Sequence, residues 1–390
     1  MTRRLLEMLA VVMGGLALGS GAFAQVSGKE AASQLNLPPP TGVKVATLPA
    51  MSPHWVFVED PISNVTINSV SLIDGDSLRT LGMISGGLES DFALAPDRKR
   101  VFMADTYWSR GTRGTRTDVV TIYDARTLNV TGEIAIPPRQ LSIPDHTQAD
   151  VTPDGRFLLV TNMTPATSVT VVDLRSNKFL GTIATPSCTE IFVTAPRQFS
   201  SICGDGSMLT VTMDEAGKAA STKRAGPFFD PEKDPVFGYP AMVGKVGYFV
   251  SYHGVVHPVD LSGPQAQFQP TWSLLDAADK AQHWLPGGWQ VYWAYQKRGL
   301  LYVLMHQGGE WSHRQVGTEA WVFDVHQKRR VDRIALAEPA DSMITTQDGN
   351  PLLFTVTTHT GRLQVYSALS GRYRGTTDLP APLPWTMWVP

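Results

Sequence analysis

A short extended segment ending in aspartate recurs along this chain. Clear copies are Val-Ser-Leu-Ile-Asp at Val70–Asp74, Val-Thr-Ile-Tyr-Asp at Val120–Asp124 and Val-Thr-Val-Val-Asp at Val169–Asp173. Four further copies follow the same pattern, the last with serine in place of aspartate: Leu209–Asp214, Val255–Asp260, Ala320–Asp324 and Leu363–Ser367. The copies end roughly 40 to 65 residues apart, and a period near 40–50 residues built from β-branched strands is typical of propeller blades. Seven copies therefore predict an all-β fold, a seven-bladed β-propeller.

The residues around each copy support antiparallel blades. Turn signals precede several of the segments, as in Ala-Pro-Asp at Ala95–Asp97 and Thr-Pro-Asp-Gly at Thr152–Gly155. Proline and Asp-Gly preset the backbone for a tight reversal, so these positions predict hairpins. A blade cannot bury both of its faces alone and must stack on its neighbours. The alternative is a β-sandwich of similar strands, which the long and nearly regular period disfavours.

The first 24 residues predict a signal peptide rather than a part of the fold. Arg3 and Arg4 form a basic start, and Leu9–Leu18 is an apolar stretch too short to span a bilayer. Ala22-Phe23-Ala24 then offers small residues at the two positions that a signal peptidase reads. We expect cleavage after Ala24 and export of the mature chain. No later stretch approaches about 18 apolar residues, so no membrane anchor is predicted.

The rest of the chain divides into an extended N-terminal arm, residues 25–41, and the propeller, residues 42–390. A proline run at Pro38–Pro40 favours the extended form of the arm. Gly42–Leu48 has strand character, and we expect it to close the ring so that no sheet edge stays open. With 33 Lys and Arg against 35 Asp and Glu, the chain has no basic excess with which to hold nucleic acid.

The chain has two cysteines, Cys188 and Cys203, and both follow the predicted signal peptide. In an oxidising compartment they are expected to form a disulfide. Their separation suits a clip across a hairpin of the fourth blade. A redox or metal site is disfavoured because the sequence has no Cys-x-x-Cys motif and no histidine cluster nearby.

An insertion at Thr106–Thr117 combines aromatic and basic side chains on a glycine-rich stretch. Arginine, tyrosine and tryptophan are the side chains most favoured as interface anchors. Tyr107, Trp108, Arg110 and Arg113 are therefore candidates for a protein-docking surface. The alternative is a solvated hairpin tip whose aromatic side chains fold back on the strands.

The stretch Trp272–Gly288 departs from the β pattern. Apolar residues follow Ser273 at helical spacing, with acidic residues early and Lys280 later, and Pro286-Gly287-Gly288 ends the stretch. We expect one surface helix here, inserted between the fifth and sixth blades.

Motifs of familiar enzyme chemistry are missing from the sequence. It has no Gly-x-Ser-x-Gly, dinucleotide-binding, phosphate-loop, haem-attachment or His-Glu-x-x-His motif. His253 and His257 are four residues apart, but their surroundings predict a strand, in which four residues span about 13 Å, too far for one metal ion. We interpret both as core or surface histidines.

Five segments of the chain together resemble one known family. They are Arg-Gly-Thr-Arg-Thr-Asp at 113–118, Pro-Ala-Thr-Ser-Val-Thr-Val-Val-Asp at 165–173, the cysteine-flanked segment 188–207, Trp-Leu-Pro-Gly-Gly-Trp-Gln at 284–290 and Glu-Trp-Ser-His-Arg at 310–314. In this order they resemble the heavy chain of the quinoprotein amine dehydrogenases, which act on methylamine or aromatic amines. The resemblance covers roughly residues 42–390, and Cys188 and Cys203 fall where that family has its heavy-chain disulfide.

The resemblance implies the heavy subunit of a periplasmic amine dehydrogenase. In that family two heavy and two light chains assemble (α2β2), and the light chain holds the cofactor, tryptophan tryptophylquinone. The enzyme oxidises a small primary amine to aldehyde and ammonia, and electrons pass to a blue copper protein similar to amicyanin or azurin. The resemblance thus implies no catalytic, cofactor-binding or metal-binding residue in this chain. We also expect no nucleic-acid or membrane partner.

The resemblance further indicates a substrate passage at Asp60–Val65. Family members that act on methylamine have Asp-Pro followed by an aromatic residue near the channel mouth. This chain keeps Asp60 and Pro61 but has Ile62, Ser63 and Asn64 where that bulk is expected, and Asn64 is the candidate gate. A smaller, more polar gate would admit amines other than methylamine, because pocket shape discriminates substrates by about 1–3 kcal/mol per methylene. An ordinary polar turn, with another side chain filling the gap, is the alternative. The candidates for the substrate channel or light-chain interface are Asp60, Pro61, Asn64, Tyr107, Trp108, Arg110 and Arg113.

Two other functions fit a seven-bladed propeller. One is a stand-alone enzyme of the lactonase type, in which carboxylates at the central channel bind a cation or a sugar acid. The other is an interaction scaffold without catalysis, since a fold does not fix a function. Activity or metal content in the isolated chain would indicate the lactonase type. A neighbouring gene for a short, cysteine-rich, exported protein would favour the amine dehydrogenase.

Overall fold

The computed structural model describes residues 46–61 and 67–390, of which Thr47–Pro390 form one unit. The predicted signal peptide (1–24), the predicted arm (25–41) and Asn64 lie outside the described residues. Within the described ranges, no helix has the length and apolar character needed to cross a membrane.

Thirty strands form seven antiparallel sheets, so the predicted all-β, seven-bladed propeller is confirmed. Blade 1 contains β1 Trp55–Asp60, β2 Ser69–Asp74, β3 Arg79–Ser85 and β30 Thr386–Trp388. Blade 2 contains β4 Asp91–Leu94, β5 Arg100–Arg110, β6 Arg113–Asp124 and β7 Val130–Ala135. Blade 3 contains β8 Ala149–Val151, β9 Phe157–Met163, β10 Thr167–Asp173 and β11 Lys178–Ala184.

The remaining four blades follow in chain order. Blade 4 contains β12 Cys188–Ala195, β13 Gln198–Cys203, β14 Met208–Met213 and β15 Ala219–Ala225. Blade 5 contains β16 Ala241–Val243, β17 Val246–Val250, β18 Val255–Asp260, β19 Gln267–Phe268 and β20 Trp272–Ser273. Blade 6 contains β21 Trp284–Pro286, β22 Tyr292–Tyr295, β23 Leu300–Gln307, β24 Gly317–Asp324 and β25 Arg329–Ala340. Blade 7 contains β26 Ser342–Thr345, β27 Leu352–Thr357, β28 Arg362–Ser367 and β29 Tyr373–Asp378.

The recurring aspartate ends the third strand of a blade, counted from the central channel, and caps the turn that follows. The carboxylate of Asp124 accepts hydrogen bonds from the N–H groups of Arg126 at 3.0 Å and Thr127 at 2.8 Å. Asp173 and Asp324 make the same contacts with the residues two and three positions later. Aspartate favours such turns because its short side chain bonds to nearby backbone groups. The repeat is therefore a structural signal and not a catalytic one.

The ring closes through the C-terminal strand, which corrects the prediction that Gly42–Leu48 closes it. Strand β30 pairs with β1, with Phe57 opposite Trp388 and Glu59 opposite Thr386. Blade 7 already has four strands from one continuous stretch of chain, so it needs no strand from the N-terminus. Leu48 instead donates its N–H to the carbonyl of Arg126 at 2.8 Å, in the outer turn of blade 2.

The hydrophobic core lies between neighbouring blades. Phe57 of blade 1 and Phe92 of blade 2 are fully buried, with ring centroids 4.9 Å apart. Val56 of blade 1 and Phe354 of blade 7 belong to another such layer. Each blade thus buries both of its faces against its neighbours, as the repeat requires.

The two ends of the propeller carry different connections. One end, which we call the turn face, bears the turns between first and second and between third and fourth strands. The other end, the loop face, bears the connections between second and third strands and those between blades. Examples on the loop face are the hairpin between β5 and β6, the connection Gly308–Val316 and the connection Leu379–Trp385.

The disulfide prediction is confirmed, and the helix prediction is confirmed in a shorter form. Cys188 and Cys203 are bonded and stand opposite each other on β12 and β13 in blade 4, at the loop face.

The helix, α1, spans only Ala277–Ala281, between blades 5 and 6. It begins at a capping box of Asp276 and Asp279 rather than at Ser273. The residues that follow return to the sheet as β21.

Candidate functional site

The predicted insertion forms an extension of the β5–β6 hairpin that rises from the loop face. Tyr107 pairs with Thr117 and Trp108 with Arg116, beyond the residues that pair with the flanking strands of blade 2. Gly111 begins the tip with a φ of 70°, which a two-residue hairpin turn requires at this position. Tyr107, Arg110 and Arg113 are exposed and Trp108 is half-buried. The extension therefore presents aromatic and basic side chains to solvent.

Buried carboxylates hold the base of this hairpin. Asp118 accepts hydrogen bonds from the hydroxyl of Thr106 at 2.7 Å and from Arg116 at 2.7 and 2.8 Å. Asp105 accepts from the N–H of Gly87 at 2.8 Å and from the hydroxyl of Tyr107 at 3.2 Å. Burial raises the pKa of Asp105, although its hydrogen bonds oppose that shift. These contacts fix the direction of the hairpin relative to blade 2.

Arg139 joins the hairpin base to the connections between blades 1, 2 and 3. Its guanidinium lies 2.8 Å from Asp91, and it also donates to the carbonyl oxygens of Leu88, Glu89 and Gln140. Both charged side chains are completely buried. Burial raises the pKa of Asp91 to about 7, although the charge of Arg139 opposes the shift. Nothing in the local sequence indicated this pair, which joins positions 48 residues apart.

Asp60 and Pro61 lie at the loop face where β1 ends, and both are buried. A carboxylate oxygen of Asp60 accepts the N–H of Leu383 at 2.8 Å, which holds the connection Leu379–Trp385 against blade 1. The neighbouring Glu59 accepts from Asn68 at 2.5 Å and from the hydroxyl of Thr386 at 2.9 Å. Burial raises the pKa of Glu59 to about 8 despite these hydrogen bonds. The predicted passage thus begins from a firmly held strand end.

A second group of side chains at the loop face joins blades 5, 6 and 7. The Arg314 guanidinium lies 4.0 Å from the centre of the Trp289 ring, and Trp289 packs on Trp385 with ring centres 3.8 Å apart. Tyr252 stacks on His313, also at 3.8 Å. We call these five residues the aromatic cluster. Trp289, His313 and Arg314 belong to segments 284–290 and 310–314, two of the five segments that carry the family resemblance. Tyr252 and Trp385 belong to two other connections.

Two adjacent glycines shape the aromatic cluster. The N–H of Gly288 donates to the carbonyl of His313 at 3.0 Å, which ties segment 284–290 to segment 310–314. Gly288 has a φ of 128°, and a Cβ there would stand 2.3 Å from the carbonyl oxygen of Asp341. A Cβ on Gly287 would meet the His306 ring at 2.6 Å. Only glycine permits this close approach, so the Gly-Gly pair sets the position of Trp289.

The site contains charged groups but no arrangement typical of a metalloenzyme. In residues 46–61 and 67–390, no three His, Cys, Asp or Glu side chains are grouped to bind a metal ion. His257 pairs with Phe249 in blade 5, and His253 lies in the preceding connection, 3.1 Å from Asp234. Near the channel mouth, the Thr147 hydroxyl lies within hydrogen-bond distance of two carboxyl groups, Asp145 at 2.5 Å and Glu190, and can donate to one of them and accept from the other when that one is protonated. Burial, aided by the charge of Asp145, raises the pKa of Glu190 well above its ordinary value.

The chain was compared with known protein families. The family model of the methylamine dehydrogenase heavy chain matches residues 53–381. The chain belongs to the methylamine dehydrogenase heavy chain family. This member is 31% identical over 372 residues to a methylamine dehydrogenase heavy chain of Methylorubrum extorquens, covering 94% of this chain and 90% of the relative. It is also 31% identical to a methylamine dehydrogenase heavy chain of Paracoccus versutus, covering 85% of this chain and 78% of the relative.

Solved structures of other proteins share the fold of this chain. A putative 6-phosphogluconolactonase from Bacteroides uniformis superposes with a TM-score of 0.60 at 12% sequence identity, covering 86% of this chain and 98% of that one. The dihydro-heme d1 dehydrogenase NirN gives a TM-score of 0.55 at 17% identity, covering 92% of this chain and 75% of that one. At these identities the likeness is one of fold alone.

The structure brings those predicted site residues that it describes to one end of the propeller. Asp60, Pro61 and the hairpin residues all lie at the loop face, in blades 1 and 2. Sequence reasoning missed two groups of contacts at this face, the Arg139–Asp91 pair beside the hairpin and the aromatic cluster. The resemblance of segments 284–290 and 310–314 to one family drew attention to these stretches, but it did not indicate that they contact each other.

Proposed function

We propose that this chain is the heavy subunit of a periplasmic amine dehydrogenase that oxidises primary amines to aldehyde and ammonia. Membership in the methylamine dehydrogenase heavy chain family is the observation on which the proposal depends. In this proposal a separate light chain would hold tryptophan tryptophylquinone, which would supply the redox chemistry for the amine. A blue copper protein would then receive the electrons of the amine. The disulfide and the predicted signal peptide support export of the chain.

The contribution of this chain is a docking surface for the light chain. The hairpin extension offers Tyr107, Trp108, Arg110 and Arg113, the residue types that most often anchor interfaces. Its base is fixed by buried hydrogen bonds, so little conformational freedom would be lost on binding. We therefore propose that a light chain docks at the loop face of each heavy chain, in an assembly of two heavy and two light chains (α2β2).

The same face would form one wall of the passage for the amine. In this proposal the loop Asp60–Val65, held at Asp60 by Leu383, lies beside the quinone of the light chain. In the sequence, Asn64 stands where the resemblance implies an aromatic gate, and a smaller, more polar side chain at that position would leave the passage wider. The amine would be selected by the size of this opening.

Co-purification tests the docking surface. A tagged heavy chain is co-expressed with its light chain, and the amount of light chain retained is measured. The double variant Arg110→Glu/Arg113→Glu should retain about tenfold less light chain, because both charges at the hairpin tip are reversed. The matched control Arg79→Glu/Arg372→Glu changes two exposed arginines at the turn face and should retain light chain as the wild type does. Equal loss in both variants would contradict docking through the hairpin, and no retention by the wild type would contradict the subunit assignment.

A further inference from the structure

The central channel contains a cavity that reaches from His146, in the connection between blades 2 and 3, to Arg98, in the turn between β4 and β5. Its volume is about 380 Å³, within the range of pockets that hold small molecules. It is lined by parts of the first strands of several blades, including Asp150 of blade 3, Phe192 of blade 4, Met242 of blade 5 and Trp293 of blade 6. The cavity is thus a feature of the assembled ring and not of one blade.

The wall of this cavity is mostly apolar and includes several aromatic side chains among aliphatic ones. Trp293 and Trp388 are each half-buried, as expected for rings that face an open space, while Phe192 is 5% exposed. His146 packs edge-on against Tyr239 and Trp293, with ring centres 4.5 and 5.1 Å away. Aromatic faces attract cations and favour flat apolar groups. The wall therefore suits a ligand that has an aromatic ring or a positive charge.

One carboxylate, Asp150, faces this wall without a cationic partner. It accepts the N–H of Val151 at 2.7 Å and the N–H of Val193. Among the described residues no lysine or arginine forms an ion pair with it. Burial raises its pKa to about 7. Arg98 also lines the cavity, but its side chain is exposed at the rim.

His146 supplies an independent indication of a missing partner. Both ring nitrogens are shielded from solvent, and neither has a hydrogen-bond partner in the described part of the chain. A buried polar atom without a hydrogen-bond partner is unfavourable because it has lost its contacts with water. Burial lowers the pKa of His146, although the charge of Asp145 opposes the shift, so the ring is neutral and one nitrogen can accept a hydrogen bond. A polar ligand or water in the cavity would relieve this cost.

We propose that the channel cavity binds a small arylalkylammonium ion, with its ammonium group on Asp150 and its ring against Trp293 and Trp388. The ammonium group supplies the counter-charge that Asp150 lacks, and its N–H groups can donate to the carboxylate. The aromatic side chains bury the ring of the ligand and stabilise the cation. The residues that would bind this ion all belong to this chain, so the proposal does not depend on the proposed light-chain partner.

Isothermal titration of the isolated mature chain with 2-phenylethylammonium chloride tests the site. The wild type should bind it, and the Asp150→Asn variant should bind at least about tenfold more weakly. The control Asp97→Asn removes an exposed carboxylate next to the rim residue Arg98 and should keep the wild-type affinity within about twofold. Phenylacetate, an anion of similar size, should not bind. Tight binding of phenylacetate, weakened by Arg98→Gln, would overturn the proposal in favour of an anion site.

The wild type offers a second test should Asp150→Asn fail to fold. Because ionised Asp150 is the attracting group, the affinity for 2-phenylethylammonium should rise several-fold between pH 6 and pH 8. Burial lowers the pKa of His146 and raises that of Glu190, which contacts the lining residue Thr147, so a Glu190→Gln variant should keep the rise in affinity. An affinity that is constant or falls over this range, or no binding at millimolar ligand, would overturn the proposal.

Discussion

The Arg139 guanidinium lies 2.8 Å from the Asp91 carboxylate, and neither side chain has any exposed surface. Arg139 also donates to three backbone carbonyl groups in the connections around blade 2. Removing one partner of a buried ion pair leaves the other charge buried without a counter-charge. Such a change lowers the free energy of unfolding by about 3–5 kcal/mol. This pair therefore stabilises the part of the loop face that carries the hairpin.

The free energy of unfolding of the Arg139→Met variant should be about 3–5 kcal/mol lower than that of the wild type. The loss arises because Asp91 and three carbonyl groups lose their donor. Urea unfolding followed by tryptophan fluorescence measures it. The control Arg79→Met, at an exposed position of an outer strand, should change the free energy by less than about 0.5 kcal/mol. Equal effects in the two variants would show that the buried pair has no special role.

The disulfide should stabilise blade 4. Cys188 and Cys203 enclose a loop with a sequence separation of 15, for which the chain-entropy model gives about 3 kcal/mol. The double variant Cys188→Ser/Cys203→Ser should lose about that much, as should the wild type after reduction. Non-reducing mass spectrometry of periplasmic material should find both thiols blocked. Two free thiols in that material would contradict export to an oxidising compartment.

His54 should make stability depend on pH at the seam between blades 7 and 1. Its ring nitrogens lie 2.7 Å from Asp76 and 3.2 Å from Asp348. Burial alone lowers the pKa of His54, but the hydrogen bonds and charges of the two aspartates outweigh burial and raise it above 6.5. The stabilisation is therefore complete below pH 6.5, the pKa in the unfolded chain, and is lost as pH rises through the higher folded-state pKa.

The variant His54→Gln isolates this effect. The difference in unfolding free energy between wild type and variant should be larger at pH 5.5 than at pH 8.5. Other titrating groups contribute equally to both proteins and cancel in the difference. A difference independent of pH would mean that His54 is neutral throughout that range.

The sequence predicted the blades because each one repeats a local signal. The aspartate of Val120–Asp124 both ends a β-branched strand and caps the next turn, so pattern and structure coincide. The prediction that Gly42–Leu48 closes the ring was wrong. The strand that does so, β30, has only three residues and pairs with a strand more than 300 residues earlier, so no local pattern indicates it. Helix α1 was shorter than expected because the apolar residues after it pack in blade 6, where Trp284 faces Trp321. Tertiary packing there outweighs helical periodicity.

The candidate site was predicted only where its residues are contiguous. Tyr107, Trp108, Arg110 and Arg113 were recognised because they follow one another in a single insertion. The contact of Arg314 with Trp289 joins two segments that only the folded ring brings together. No local pattern identifies such contacts, which depend on non-local packing.

The gate hypothesis at Asn64 predicts a change in substrate preference. In the assembled enzyme, Asn64→Phe should shift the ranking of kcat/KM from longer amines toward methylamine, because added bulk narrows the passage. The assay compares methylamine, longer alkylamines and phenylethylamine. The control is Ile67→Val, which changes an exposed side chain and leaves the bulk at position 64 unchanged, so the ranking of the amines should stay as in the wild type. Asn68 is not used as a control because its side chain donates a hydrogen bond to Glu59. An unaltered ranking in Asn64→Phe would mean that Asn64 is not the gate.

The subunit assignment is tested most directly by dye-linked amine oxidation measured on three samples. These are the heavy chain alone, the light chain alone and the two chains co-expressed and purified together. We predict that the co-expressed complex shows quinone absorbance that is bleached by a primary amine and turns over with a dye acceptor. The heavy chain alone should show neither property. Robust amine oxidation by the lone heavy chain, or an inactive complex with a fully formed quinone, would contradict the account.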